Sequence, residues 1–227
     1  MNFTQEIKKI KKNDPNIVEY MMDEYNTHNE IIEFSKSLDN NKYLTSIEFL
    51  MTEFNYYTMT IFSEMISQNT TIKCLSFYFC EICDLQLEIL LKSLQKNNTL
   101  EFFYILDDDD KKFSEENLKL LANYIENNTS LKMFTFPNHI SEAGFYEIAN
   151  ALKINNTLET LSFNDDRNLG YEKRIYYPQS ENVKQYFQEA LQQNITLRNL
   201  YGIDVGDLLN EDVIKSRQQC RKIKKCI

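Results

Sequence analysis

The sequence is short of the residues that usually punctuate a fold. Its 227 residues include 4 glycines, 3 prolines and no tryptophan. So few turn-formers exclude a sandwich or barrel of many short strands, and they exclude a Rossmann-type glycine-rich phosphate loop. Long apolar runs are missing too, and none approaches the roughly 20 residues of a membrane-spanning helix. The opening Met1-Asn2-Phe3-Thr4-Gln5-Glu6-Ile7-Lys8 has no apolar signal core. Position 2 is not glycine and Cys226 lies one residue from the end, so neither common lipidation signal is present. These absences lead us to expect a cytoplasmic protein with no integral membrane segment. Basic charge is also scarce. The formal net charge of -9 argues against the broad basic face of a nucleic-acid binder. The 42% of hydrophobic residues is ample for a folded core, and the length favours one domain.

Asparagine is plentiful, and its placement is periodic. An apolar anchor recurs at Ile17, Leu44, Ile72, Leu100, Leu131, Leu158 and Leu197, with spacings of 27, 28, 28, 31, 27 and 39. After each anchor the pattern apolar-x-x-apolar-x-apolar returns, as in Leu44/Ile47/Phe49, Ile72/Leu75/Phe77 and Leu158/Leu161/Phe163. The last copy, Leu197/Leu200, has Gly202 in the third slot. Upstream, three columns repeat at helical steps. Six positions before the anchor lie Leu38, Ile66, Leu94, Ile125, Leu152 and Leu191. Ten before lie Phe34, Phe62, Leu90, Leu121, Ile148 and Phe187. Thirteen before lie Ile31, Met59, Leu87, Leu118 and Phe145, with Lys184 breaking the column. Steps of three and four place each set on one helical face.

Three residues before the anchor stands Asn41, Asn69, Asn97, Asn128, Asn155 or Asn194. Asparagine tolerates the left-handed conformation that closes a helix, so we expect it to replace the missing glycines there. Each unit then reads as a short strand, a loop, a helix of about three turns and an Asn stop. A unit this small cannot bury its own apolar face, so neighbours must stack. The expected fold class is α/β, a solenoid with a curved parallel sheet on its concave face and helices on its convex face. About seven repeats over residues 13–207 lie between a capping helix at 1–12 and a basic capping helix at 208–227.

These residues resemble leucine-rich repeats of the ribonuclease-inhibitor-like class. The segment Ser141-Glu142-Ala143-Gly144-Phe145, Ile148, Ala151-Leu152 and Asn155-Asn156-Thr157-Leu158 carries the likeness well. Cys80, eight residues after Ile72, falls where that family places Asn or Cys, whereas Thr52 and Asp108 depart from it. A narrower likeness lies in Lys11-Lys12-Asn13-Asp14-Pro15, which looks like the opening of the tropomodulin repeat domain. That resemblance implies capping of actin filament ends.

The ends and the sixth unit stand apart. Phe3, Ile7 and Ile10 are expected on the inward face of the first helix. In the last, Asn210 is placed to cap, and Leu209, Val213, Cys220, Ile223 and Ile227 share a face. Residues 215–225 hold six basic residues and no acidic one, which suits a solvated cap or a weak contact with an anionic surface. The sixth unit carries an extra segment at 164–180, whose Tyr171, Arg174, Tyr176 and Tyr177 are candidate partner-binding residues on an extended loop.

Chemistry is harder to find. Cys80-Glu81-Ile82-Cys83 is a C-x-x-C, but zinc needs two more ligands at suitable spacing, and Cys220 and Cys226 are distant. A thiol or metal site at Cys80/Cys83 is therefore the outlying reading. Asp107 to Asp110 lacks the spacing and central glycine of a calcium loop. His28 and His139 neighbour no plausible nucleophile, so no catalytic residue, metal or cofactor is assigned and no enzyme is expected. Asn97-Asn98-Thr99 and its repeats read as by-products of the Asn stop rather than glycosylation sites.

A partner is expected on the concave face, where strand residues alternate away from the core. Those positions are Glu19/Met21, Ser46/Glu48, Cys74/Ser76, Phe102/Tyr104, Met133/Thr135, Thr160/Ser162 and Asn199/Tyr201. Tyr78, Leu106 and Pro137 lie one step further along. The apolar centre makes Tyr78, Phe102, Tyr104, Leu106, Met133, Thr135, Ser162 and Tyr201 the candidate contact residues for a protein partner. The expected function is a monomeric, non-enzymatic interaction scaffold, with actin-end capping as the alternative.

Overall fold

The computed structural model describes residues 3–106, 113–136, 140–163, 180–209, 211–215 and 218. The chain divides into two compact units, Met1–Asp109 and Asp110–Ile227. In the first, helix α1 (Phe3–Lys11) precedes an alternation of strands and helices: β1 (Glu19–Met22), α2 (His28–Ser37), β2 (Ser46–Leu50), α3 (Tyr56–Gln68), β3 (Cys74–Tyr78), α4 (Asp84–Leu94) and β4 (Phe102–Leu106). The second runs α5 (Glu115–Asn127), β5 (Met133–Thr135), α6 (Glu142–Ile154), β6 (Thr160–Ser162), α7 (Glu181–Gln193) and β7 (Asn199–Tyr201), then a 3-10 turn at Gly206–Leu209. Every strand described pairs in parallel with its sequence neighbour inside its unit. The fold is an α/β leucine-rich-repeat solenoid with helical caps.

Sheet register follows the sequence period. Glu19 faces Ser46, Ser46 faces Cys74 and Cys74 faces Phe102, at the spacings of the first three repeats. In the second unit Met133 faces Thr160 and Thr160 faces Asn199. The lengthened sixth repeat therefore keeps its strand in register and places its extra residues between Phe163 and Ser180.

The core is the set of columns read from the sequence. Leu44, Ile72, Leu100, Leu131, Leu158 and Leu197 are buried, as are all residues ten and six positions before them. The first anchor differs: Ile17 is half-buried and Val18 exposed, and β1 contributes Met22 to the core. Third-slot phenylalanines stack along the first unit, with Phe49 and Phe77 ring centres 5.1 Å apart and nearly parallel. Phe62 meets Phe49 edge-on at 4.9 Å, and in the second unit Phe163 packs between Phe145 and Phe187. Such pairs add about 0.5–1.5 kcal/mol each beyond area burial. Where Lys184 breaks its column, the neighbouring Val183 turns inward and is buried instead.

The Asn stop works differently from the sequence expectation. Asn69, Asn128, Asn155 and Asn194 close their helices with φ between -76° and -60° and ψ near 135°, which is extended backbone and not left-handed. Their side chains explain the preference. In each repeat the Asn Oδ1 accepts from the N–H groups two and three residues ahead, the second being the buried anchor: Asn97 from Thr99 and Leu100, Asn155 from Thr157 and Leu158, Asn194 from Thr196 and Leu197. For Asn41, Asn97, Asn155 and Asn194 the Nδ2 also donates to carbonyls of the preceding unit, as Asn97 does to Ile66 at 2.8 Å and Asn69 at 3.0 Å. Ile66 lies in the last turn of α3, and its carbonyl also accepts from the capping Asn69 N–H at 3.2 Å. Glycine could not replace such a residue. The threonine two positions on reaches back as well, with Thr99 Oγ1 3.2 Å from the Asn69 oxygen. Asn97 is buried with its amide fully engaged, so it is no glycan acceptor in the folded chain.

Helix starts are equally regular. Thr27, Asn55, Ser114, Ser141 and Ser180 stand in extended conformation and accept from the third helical N–H. All lie seventeen residues before an anchor. At the N-terminus Ile7 and Ile10 of α1 are buried and Phe3 is half-buried. At the C-terminus residues 211–215 are helical, but the buried side chain is Ile214 rather than the expected Val213, which is half-buried. Asn210, Cys220, Ile223 and Ile227 lie outside the described residues.

Candidate functional site

In the first unit the strand face is a grid set by register. One row runs Glu19, Ser46, Cys74, Phe102; the next runs Met21, Glu48, Ser76, Tyr104; a third runs Leu50, Tyr78, Leu106. The rows pass from acidic and polar on β1 and β2 to aromatic on β4. Phe102 is 36% exposed and Tyr104, two residues on and on the same side of the strand, is half-buried. Beside them lie half-buried Cys74 and buried Ser76, whose Sγ and Oγ are 3.9 Å apart. Tyr78 and Leu106 belong to the row but are buried, so they support the patch from within rather than present a surface.

In the second unit the corresponding rows run Met133, Thr160, Asn199 and Thr135, Ser162, Tyr201. Tyr201 is exposed and Met133 half-buried, whereas Thr135 and Ser162 are buried. Asn199 Nδ2 donates to Thr160 Oγ1 at 3.1 Å across the two strands. Of the eight strand-face candidates, Phe102, Tyr104, Met133 and Tyr201 are thus accessible. The loop candidates Tyr171, Arg174, Tyr176 and Tyr177, and Pro137, lie outside the described residues. Alternation put Phe102 and Tyr104 on the outward side of β4 but could not say which small side chains their larger neighbours would cover.

The thiols of the C-x-x-C serve the architecture. Cys80 is buried, with Sγ 3.4 Å from the carbonyls of Phe49 and Tyr78. Thr52 does the same one repeat earlier, its Oγ1 donating to the Met22 carbonyl at 3.1 Å. Thr52 therefore continues the ladder it was expected to break. Cys83 is the helix-start residue of α4, and its N–H donates to Gln86 Oε1 at 2.8 Å. Among the described residues no three His, Cys, Asp or Glu side chains are grouped to hold a metal, and no helix is long and apolar enough to cross a membrane. Asp107 to Asp110, His139, Cys220 and Cys226 lie outside those residues.

Perturbed acids sit away from the strand face. Hydrogen bonds from Asn182, Ser180 and Tyr186 hold the Glu142 carboxyl below its usual range, and bonds from the Asn16 backbone and side chain do the same for Asp14. What the face offers is aromatic and hydrogen-bonding contact.

No protein-family model matches the chain, and no curated protein matches it. Among solved structures, it is similar to the tropomodulin C-terminal domain of Caenorhabditis elegans over 99% of both chains, at 12% identity and a TM-score of 0.42. It is also similar to a structure of Leiomodin-1 actin-binding site 2, over 99% of this chain and 96% of that one, at 16% identity and a TM-score of 0.31. At those values neither likeness bears on function.

Proposed function

We propose that this chain is a non-enzymatic protein-interaction scaffold that takes a protein partner on the strand face of its repeats. One observation carries the reading: Phe102 is exposed beside half-buried Tyr104 at the aromatic end of the strand face. The part of the Phe102 ring left in water gains nothing from burial in the free chain, and aromatic residues dominate binding hot spots. The strand-loop-helix unit in every repeat suits the ribonuclease-inhibitor-like class, in which we place it. The scaffold acts as a monomer and needs no cofactor.

Actin-end capping is implied by the likeness at Lys11-Lys12-Asn13-Asp14-Pro15, but that segment already has structural work. Asn13, at φ 56°, closes α1; its Oδ1 accepts from the Lys42 N–H and its Nδ2 donates to the Asn40 carbonyl. Asp14 binds the Asn16 N–H and side chain. A pyrene-actin depolymerisation assay separates the two readings, since an end cap slows subunit loss at substoichiometric amounts and this scaffold leaves it unchanged.

Affinity capture with the Phe102→Asp/Tyr104→Asp double variant tests the proposal. Both side chains are at least partly in solvent, so circular dichroism should match the unsubstituted chain while partner capture is lost. Recovery of the same partners by the double variant places the interface elsewhere.

A further inference from the structure

A second surface lies in the first unit, at the edge where each parallel strand hands over to its helix. Tyr25, Met51, Tyr56, Tyr57 and Leu85 occupy three successive handovers there and are between 47% and 82% exposed. Met51 and Phe79 take up equivalent left-handed turns, at φ 50° and 55°, while the Met51 N–H donates to the Tyr78 carbonyl and the Phe79 N–H to the Leu106 carbonyl. The edge is thereby fixed by backbone, although its side chains face water.

Its charge has one sign. Residues 19–35, 43–72 and 74–91 contain no lysine or arginine at all; the basic residues of these repeats are Lys36, Lys42, Lys73, Lys92 and Lys96, in helix C-terminal turns and the connections to the next strand. Glu24, Glu53 and Glu81 are exposed among the tyrosines, and none forms an ion pair among the described residues. The three helix N-termini at this edge contribute about half a positive charge each. That is largely taken up by the caps at Thr27 and Asn55 and by Gln86, so the sign at the edge stays negative.

Aromatic faces interleaved with carboxylates suit a cationic, apolar-stemmed ligand. Long basic side chains lay their methylenes on apolar surface and keep their heads toward carboxylates, and a guanidinium stacks on tyrosine. We propose that this edge docks a lysine- and arginine-rich peptide segment of a partner protein, with Tyr56 and Tyr57 as the apolar anchors and Glu24, Glu53 and Glu81 as the charge partners. It is distinct from the Phe102/Tyr104 face and does not depend on that reading.

Fluorescence anisotropy with the whole chain tests it, using a fluorescein-labelled peptide of alternating arginine and leucine and a control of alternating glutamate and leucine. The arginine peptide binds, the glutamate peptide does not, and affinity falls as salt screens the carboxylates. Tyr56→Ser/Tyr57→Ser weakens binding about tenfold or more, the range expected on losing aromatic anchors. Glu53→Gln/Glu81→Gln weakens it and flattens its salt dependence. Equal binding of the two peptides, no binding of the arginine peptide at low salt, or edge variants that bind like the unsubstituted chain would each overturn the proposal. So would a self-association that Tyr56→Ser/Tyr57→Ser abolishes, since the edge would then belong to a second copy.

Discussion

Asn155 donates from Nδ2 to the carbonyl of Asn128, its counterpart one repeat earlier, at 3.1 Å. The same amide reaches Ile125 O at 2.6 Å, while Oδ1 accepts from Thr157 and Leu158 at 3.0 and 2.8 Å. One buried side chain pairs four backbone groups, two in each of two stacked repeats. Asn155→Ala takes this partner from the Ile125 carbonyl and from the Thr157 and Leu158 N–H groups, while the Asn128 carbonyl keeps Thr157 Oγ1 at 3.0 Å. The change should cost about 2–4 kcal/mol by urea unfolding. Asn155→Gly discriminates further. It should cost at least as much as alanine here, whereas a left-handed stop would accept glycine at little cost. A glycine variant as stable as the unsubstituted chain would remove the ladder as the reason for the Asn column.

Asn155→Asp carries a pH signature. Its carboxylate would face two carbonyl oxygens in a buried site, which raises the folded-state pKa above the unfolded value of about 3.9. The folded state then holds its proton more tightly than the unfolded state. The penalty relative to the unsubstituted chain is therefore smallest below about pH 4 and grows toward neutrality. Melting temperatures of both proteins across that range check this, and a penalty independent of pH would contradict it.

Gly144 sits in the first turn of α6, where a Cβ would collide with Leu118 Cδ1 and lie 2.8 Å from Ile140 Cγ2. Gly144→Ala gains about 1 kcal/mol of helix propensity but overpacks a buried contact at about 1–3 kcal/mol. Thermal unfolding should show a net loss, and a stabilised variant would mean that Leu118 can move aside.

Cys80 and Thr52 are equivalents, each donating to the carbonyl of a core residue one repeat earlier. Cys80→Thr should accordingly fold with near-parental stability, while Cys80→Val, which lacks a donor, should lose about 1 kcal/mol or more. Added zinc should leave the unfolding midpoint of the parental chain unchanged. A zinc-dependent rise in midpoint would revive the thiol-site reading.

The fold was legible because the period writes each core residue many times over. A single Lys184 could not obscure a column repeated in five other units, and register followed anchor spacing even across the long sixth repeat. The role of asparagine was half legible: its offset was plain, but a side chain bridging two repeats looks in sequence like any residue that tolerates a turn. The helix-start column at Thr27, Asn55, Ser114, Ser141 and Ser180 was readable from spacing and was missed, because Cys83 interrupts a run of capping residues. On the strand face, alternation placed Phe102 and Tyr104 outward, yet it treated Thr135 and Ser162 alike although both are buried. Exposure there depends on the bulk of neighbouring strands, which alternation does not encode. The tyrosine-rich edge fell outside the pattern because its residues lie in handovers where the period is silent.

The most direct measurement of the binding account is photo-crosslinking from the strand face itself. A benzoylphenylalanine installed at Phe102 should give a covalent adduct with a partner protein, while the same group at Glu64, exposed on α3, should give none. Adducts from position 64 but not from position 102 would contradict a partner on the strand face.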